Sequence, residues 1–490
     1  MRTLGEGRSA SERVISMSGR KVRQALVAAV SAVLVAGAAG CTGTPVTSGQ
    51  PPPCAVQTLP TVPVAPTTAT TIEQAYYCVF AHYVTGPVLD DRVLLASAFA
   101  GFTQELGRLG LDQPDATMPA LTGDRGRDWN AFAAVYRKVT GQPRATPTQR
   151  QALAAATLTG MVASLHDNHA RWVYQPQPPG YGPGDAYGLG ITTSPAYGVA
   201  VTAPQEAQPP LFVTAVAPAS PAASRGVRPG DVIVSVDGAP PFAGGVVSEG
   251  AMNLLFAPYP QAGGVSVRLR RPATGRTWTL TLTRALYPAP ASLVSAKLLG
   301  GDIAYVQLPA FFPGAADQVL QAIANLAPGA RRHGLILDLR GNDGGAPSEV
   351  ATLLGAFIHG AAWSYDCDPH GHCTANDTDS STPLLHLPLV VLTDRNCVSA
   401  CDAFSGAVKD HRLGTLVGTR TAGIASGPAT SYLLSDGSLL ALPAVHELGA
   451  DHELINGIGV APDYFLPLTA DDLSTGRDPD IAEALTLLGG

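Results

Sequence analysis

A serine at position 399 stands where an apolar run gives way to a helical pattern. The stretch VVLTDRNCVSACDAF (390–404) reads as a strand, a short turn and a helix beginning near Ser399. That placement sets a hydroxyl among the unpaired N–H groups of a helix N-terminus, where the helix dipole stabilises developing negative charge. A serine there also serves as an ordinary N-cap, so position alone does not make it a nucleophile. Upstream, LILDLRGNDGG (335–345) is a buried strand ending in Asp338, Arg340 and a glycine-rich loop. Glycines at a strand end permit backbone angles that turn bare N–H groups into a site. Such groups are what an oxyanion needs. The same pattern also makes a tight strand-to-helix connection, with APSEV opening the helix.

The elements that must hold these pieces follow from periodicity. From Ile72 to about Val173 the apolar spacing is helical, as in RVLLASAFAGFTQEL and QALAAATLTGMVASL. Residues 186–286 change to short alternating strands separated by turn residues, the pattern of a small β-rich module. From Asp302 onward strands alternate with helices (IAYVQL, AADQVLQAIANL, GLILDL, SEVATLLGAFI, LPLVVLT), which predicts an α/β domain with a largely buried sheet. The 53 Gly and 42 Pro of this 490-residue chain exclude a helical bundle. Net charge −7, with no basic block beyond the N-terminus, argues against a nucleic-acid partner.

Two resemblances add to this. Gly188-Leu189-Gly190-Ile191 and the segment PASPAASRGVRPGDVIVSVDGAPP (218–241) resemble a PDZ domain, the former its carboxylate-binding loop. A glycine-rich turn directs successive N–H groups to one point, where they hold a peptide C-terminus, and a neighbouring strand lets the peptide add by main-chain bonds. The order LHDNHA, PDZ module, LDLRGNDGG, Ser-Ala-x-acidic, then NGIGVAPDYF (456–465) resembles the tail-specific (C-terminal-processing) serine peptidases over residues 72–490. The resemblance implies an α/β fold with a crotonase/ClpP-like protease core over 295–490, an N-terminal helical segment (71–180) and an inserted PDZ domain (186–286). It implies Ser399 as nucleophile and Asp402 at the acidic position, with Ala400 and Gly344 N–H groups as oxyanion donors. No metal or cofactor is implied.

The departures are informative. Many members use a Lys in a Thr-Phe-Gly-Lys-Gly motif as base. Here Thr421-Ala422-Gly423-Ile424-Ala425 puts Ile424 at the Lys position, and Ile takes no proton. A second branch, resembling tricorn-type peptidases, supplies a His from before the PDZ domain. His169 in SLHDNHARW stands at the matching place, with His166 its local competitor. A neutral imidazole is apt for the task at pH 7. That branch orients its machinery with a Glu before GV-x-PD. Asn456 matches it, and Glu453 is the second candidate.

The N-terminus predicts export. Arg20, Lys21 and Arg23 precede an apolar run from Ala25 to Gly40, as in a secretory signal. Ala38-Ala39-Gly40-Cys41 resembles the lipobox of bacterial lipoproteins, with Cys41 lipidated and the protein held on the outer face of the cytoplasmic membrane; plain secretion is the alternative. Met1 and Met17 are both candidate starts. Residues 42–70 read as a Pro/Thr-rich linker. Six further cysteines in an exported chain predict disulfides. Neighbour pairing (54–78, 367–373, 397–401) is the expectation, with Cys397 or Cys401 pairing to Cys367 or Cys373 as alternatives. Two functions compete: an endopeptidase acting on exported polypeptides, or a catalytically silent PDZ-containing peptide-binding lipoprotein.

Overall fold

The computed structural model describes residues 53–57, 63–182, 184–195, 208–257, 259–261, 263–289, 294–326 and 332–490. The signal segment, Cys41 and most of the linker lie outside them. Pro51–Gly490 form one compact unit.

The core is a six-stranded sheet in the order Ser295–Leu299, Ile303–Gln307, Gly334–Asp338, Leu389–Thr393, Gly414–Gly418, Tyr464–Phe465. The first pair is antiparallel and every later pair parallel. Strands Gly334–Asp338 and Leu389–Thr393 are buried throughout. That is why their sequences are unbroken apolar runs rather than alternating ones. Helices Ala315–Asn325, Pro347–Gly355 and Ala400–Asp410 fill the crossovers. Phe311, Phe404, Leu337 and Val391 are among the side chains packed between sheet and helices.

Four helices, Ala69–His82, Asp91–Arg108, Arg125–Thr140 and Pro147–Ala163, make the N-terminal segment around Tyr76, Phe102, Trp129 and Phe132. Helical periodicity does not extend to Val173 as expected. Arg171–Val173 is a strand, paired antiparallel with Leu439–Pro443 of a core hairpin. Trp172 crosses from Leu440, and its indole N–H donates to Ser438 Oγ at 2.8 Å. This pairing carries the segment after the last of these four helices onto the C-terminal part of the chain. The linker reading also needs correction at its end. Ala55–Val56 pairs with Tyr432 and Leu433, and Cys54 is bonded to Cys78, so this part of the chain is docked by main-chain bonds and a disulfide.

The β-rich module contains a three-stranded sheet (Val232–Val236, Gly264–Arg270, Thr277–Thr283) and the pair Ile191–Thr193 with Val213–Val216. Its entering strand Asp185–Gly188 and leaving strand Ala285–Pro288 are zipped antiparallel. The other two disulfides join Cys367 to Cys373 and Cys397 to Cys401. Among the described residues no cluster fit to hold a metal ion is found. No described helix is long and apolar enough to cross a membrane.

Candidate active site

Ser399 sits at the N-cap of the Ala400–Asp410 helix with φ 60° and ψ −116°, outside the regions that side chains ordinarily favour. Such strain persists only where the surroundings over-determine it, and here they do. The Ser399 N–H donates to Asp402 Oδ2 at 2.9 Å. Val398 N–H donates to the Asn342 carbonyl at 2.9 Å. Asp394 Oδ1 accepts from both Gly341 and Asn396 N–H at 2.9 Å, tying the glycine loop to the serine turn. The Cys397–Cys401 bridge spans the turn with Cα atoms 5.2 Å apart. Because Ser399 is not helical, this bridge avoids the long four-residue span that a regular helix would impose.

Asp402 is fully buried and accepts also from Gly423 N–H at 2.9 Å and Ile424 N–H at 3.1 Å. Burial pushes its carboxyl up to about 6, against the pull of those bonds. The acidic position is thus a clamp between the serine turn and the 421–424 loop. Ile424, at the place of the family lysine, is 4% exposed and packs on Val398 beneath the turn.

His169 Nε2 lies 2.9 Å from Ser399 Oγ. The ring is buried, 6% exposed. Its tautomer follows from its neighbours. Nδ1 faces Ser426 Oγ at 3.0 Å and Asn168 Oδ1 at 3.2 Å. The Ser426 hydroxyl donates to Asp167 Oδ1 at 2.6 Å, because a carboxylate only accepts. The Asn168 amide nitrogen donates to Asn456 Oδ1 at 2.7 Å and to the Gly423 carbonyl at 3.3 Å, which leaves its oxygen toward the ring. These two oxygens, at the shorter distances, assign the proton to Nδ1, against the longer approach of Ser426 N–H, which points its own hydrogen at the same nitrogen. Ser426 N–H, at 3.3 Å, is the weaker contact. The Nε2 lone pair is left for the Ser399 hydroxyl. Burial, with Arg171 nearby, lowers the imidazole to about 4 despite the opposing Asp167 charge, so the ring is neutral at pH 7. Asp167 is itself fixed by His169 N–H at 2.9 Å and the Tyr83 hydroxyl at 3.2 Å.

The structure thus brings Ser399 and His169 together but gives Asn456 a different post. Asn456 touches Asn168 and Ala425 N–H, not the imidazole. It acts on the ring one residue removed. Glu453 accepts from Asp451 N–H and does not reach the ring either. His166 is exposed. Gly344 also differs from expectation. It lies against the serine, where a Cβ would come within 2.8 Å of Ser399 Cβ, yet its N–H donates to Asn342 Oδ1 at 2.9 Å. Ala400 N–H stands at the first helical position beside Ser399, among the N–H groups that a helix start leaves without an intrahelical acceptor. Asp338 and Arg340 form an ion-pair network with Asp478 and Asp480, fastening the C-terminal helix. Sequence reasoning passed over Ser426 and Asp167. The Asp-x-His spacing was visible for Asp167, whereas nothing in the spacing marks Ser426, 257 positions beyond the histidine it touches.

The Gly188–Ile191 turn faces a cleft. The Leu189 carbonyl accepts from Ala222 N–H and the Gly190 carbonyl from Ala217 N–H. In trans peptides the following N–H points the opposite way. The Gly190 and Ile191 N–H groups accordingly point away from those donors.

Residues 302–466 match the model of peptidase family S41, and residues 212–244 that of a PDZ domain. The chain is 31% identical over 263 residues to carboxyl-terminal-processing peptidase 2, chloroplastic, of Arabidopsis thaliana, covering 52% of this chain and 50% of the relative. It is 32% identical over 280 residues to the chloroplastic C-terminal processing peptidase of Tetradesmus obliquus, covering 52% and 56%. The chain thus spans about half the length of these curated relatives. Among solved structures it is similar to a photosystem II D1 C-terminal processing protease, with TM-score 0.50 and 24% identity over 86% of this chain and 97% of that one. That likeness establishes the fold: an α/β peptidase core joined to a PDZ module.

Proposed function

We propose that this protein is a serine endopeptidase of the tail-specific type, acting on exported polypeptides whose C-termini enter the PDZ module. The observation that carries the reading is the 2.9 Å contact between Ser399 Oγ and Nε2 of a buried His169. In the reaction, Ser399 Oγ attacks the scissile carbonyl as Nε2 takes its proton. The imidazolium keeps its Nδ1–H on Ser426 Oγ, whose own proton rests on Asp167, so the carboxylate charge reaches the ring through a hydroxyl. Ala400 N–H and the helix terminus stabilise the tetrahedral oxyanion. Nε2 then returns the proton to the leaving amine. Water, activated by the same ring, releases the acyl group.

The signal-like N-terminus and Cys41 support export and lipid anchoring at the outer face of the cytoplasmic membrane. The matches to C-terminal-processing peptidases support polypeptide substrates. The test is covalent labelling with a fluorophosphonate. The wild-type protein is expected to label and to degrade an unfolded polypeptide, and Ser399→Ala to do neither. A wild-type protein that neither labels nor cleaves, while still binding peptide, would overturn the reading in favour of a silent binding protein.

A further inference from the structure

The strand Arg171–Val173 begins two residues after His169 and forms one edge of a four-stranded sheet. The two faces of that sheet differ. Trp172 stands opposite Leu440, and Leu440 opposite Tyr432, and all three pack against the N-terminal helices. Successive side chains in a strand point to opposite faces. Arg171, Ala441 and Ser431, which share the next row across the strands, therefore lie on the face turned away from those helices.

Arg171 is half-buried there. Neither neighbour in its row carries a charge to meet it. Among the described residues its guanidinium has no hydrogen-bond acceptor and no ion-pair partner, and burial without a partner lowers it from its ordinary value. It stays charged nonetheless, as an arginine does. The contrast within the chain is sharp: Arg271 and Arg340, also shielded from water, hold one and three carboxylates. A cation drawn partly out of water with nothing opposite it costs stability. Charges perturbed in this way gather at functional sites, where a ligand can supply the missing partner.

The position of Arg171 relates it to the reaction. Its charge acts on the His169 imidazole more strongly than the charge of Asp167 does. In the mechanism proposed above, Nε2 returns its proton to the leaving amine, so the histidine stands on the leaving-group side of the scissile bond.

We propose, resting on the reading of the protein as a serine peptidase, that Arg171 is a specificity residue that pairs with an Asp or Glu side chain one or two residues after the scissile bond. The planar guanidinium offers a fork of N–H donors to the carboxylate, a match in both shape and charge. A Lys or Arg at the same substrate position meets a like charge and is disfavoured.

The test begins with an unfolded polypeptide cut by the full-length protein. One cleaved site is copied into a peptide, with Glu, Gln or Lys placed at the first or second position after the cut, or at the second position before it. All the peptides keep the same free C-terminus, so any capture of the chain end cancels and only the side chain differs. At one of the two positions after the cut, kcat/KM for Glu is expected to exceed that for Gln by about tenfold, the size of a hydrogen bond to a charged group. No such difference is expected before the cut. Arg171→Gln should bring the Glu-to-Gln ratio to about one. Arg171→Lys should retain part of it, and Arg171→Glu should turn the preference toward Lys. A ratio measured within one variant does not depend on how much of the preparation is folded, and the wild-type ratio needs no variant at all. Equal rates for Glu and Gln in the wild type, a preference found only before the cut, or a preference that survives Arg171→Gln would overturn the proposal. So would an Arg171→Gln enzyme that slows every peptide alike, since the arginine would then serve the histidine and not the substrate. Failure of the peptidase reading looks different: neither polypeptide nor peptide is cut. Cutting without a preference for the acid sinks the Arg171 assignment alone.

Discussion

The serine turn and the aromatic cleft beside Gly188–Ile191 are built in opposite ways. Around Ser399 the neighbours are buried and bonded: Asp402, Asp394 and Asn342 each hold two strands of chain in place, and a disulfide spans the turn. Around Gly190 the walls are aromatic and partly exposed, with a single charge. The difference matches the two tasks proposed for them. Proton transfer and acyl transfer demand a fixed geometry, which rigid and satisfied polar networks supply. Recognition of varied chain ends tolerates movement, and aromatic surfaces give contact without a fixed register. Changes at the turn should therefore act on the rate of bond cleavage, and changes in the cleft on apparent affinity.

The largest effect is expected at the base. His169→Ala should lower kcat by about four orders of magnitude, the loss seen when a triad member is removed. His166→Ala should leave kcat within about twofold, because an exposed side chain off the site has no part in the transfer. Steady-state cleavage of an unstructured polypeptide measures both. Equal losses would break the comparison at its first point.

A smaller effect is expected one step behind the ring. Ser426→Ala should lower kcat about 10- to 100-fold at nearly unchanged KM, since it interrupts the hydroxyl between His169 and Asp167 but leaves the substrate untouched. Asn456→Ala should lower kcat only about two- to fivefold, because it touches the ring only indirectly, through Asn168 and through the Ala425 N–H that precedes Ser426. An order of effects reversed between Ser426 and Asn456 would restore Asn456 as the principal orienting residue.

The uneven legibility of the sequence has the same physical origin. The peptidase core could be read because its parallel strands are buried on both faces and its helices keep a 3.6-residue period. The serine turn could be read because a family motif surrounds Ser399. The strand Arg171–Val173 was hidden behind the helical pattern before it: a three-residue strand has no period of its own, and its partner, Leu439–Pro443, lies in a distant hairpin. Ser426 was hidden for a related reason. Its role is made by that hairpin's approach to His169, a contact between distant parts of the chain. Gly344 was legible as a residue that must be small beside Ser399, but the direction of its N–H depends on where Asn342 Oδ1 turns. Even the linker contained a hidden element, since Ala55–Val56 pairs with a strand more than 370 residues away.

The central claim is that His169 is a buried, neutral base on Ser399, and the pH dependence of fluorophosphonate inactivation tests it most directly. An unperturbed imidazole titrates near 6.5, whereas burial holds this one at about 4. A lowered value means that the ring stays unprotonated, and able to accept, until the pH falls to that region. Between about 6.5 and 4 the unfolded chain takes up a proton that the folded ring refuses, so stability declines over the same window. The inactivation rate, measured on protein shown to be folded at each pH, should hold level from pH 7 to well below 6 and fall along a single limb centred near 4. A limb at or above 6.5, or inactivation that persists in His169→Ala, would contradict it.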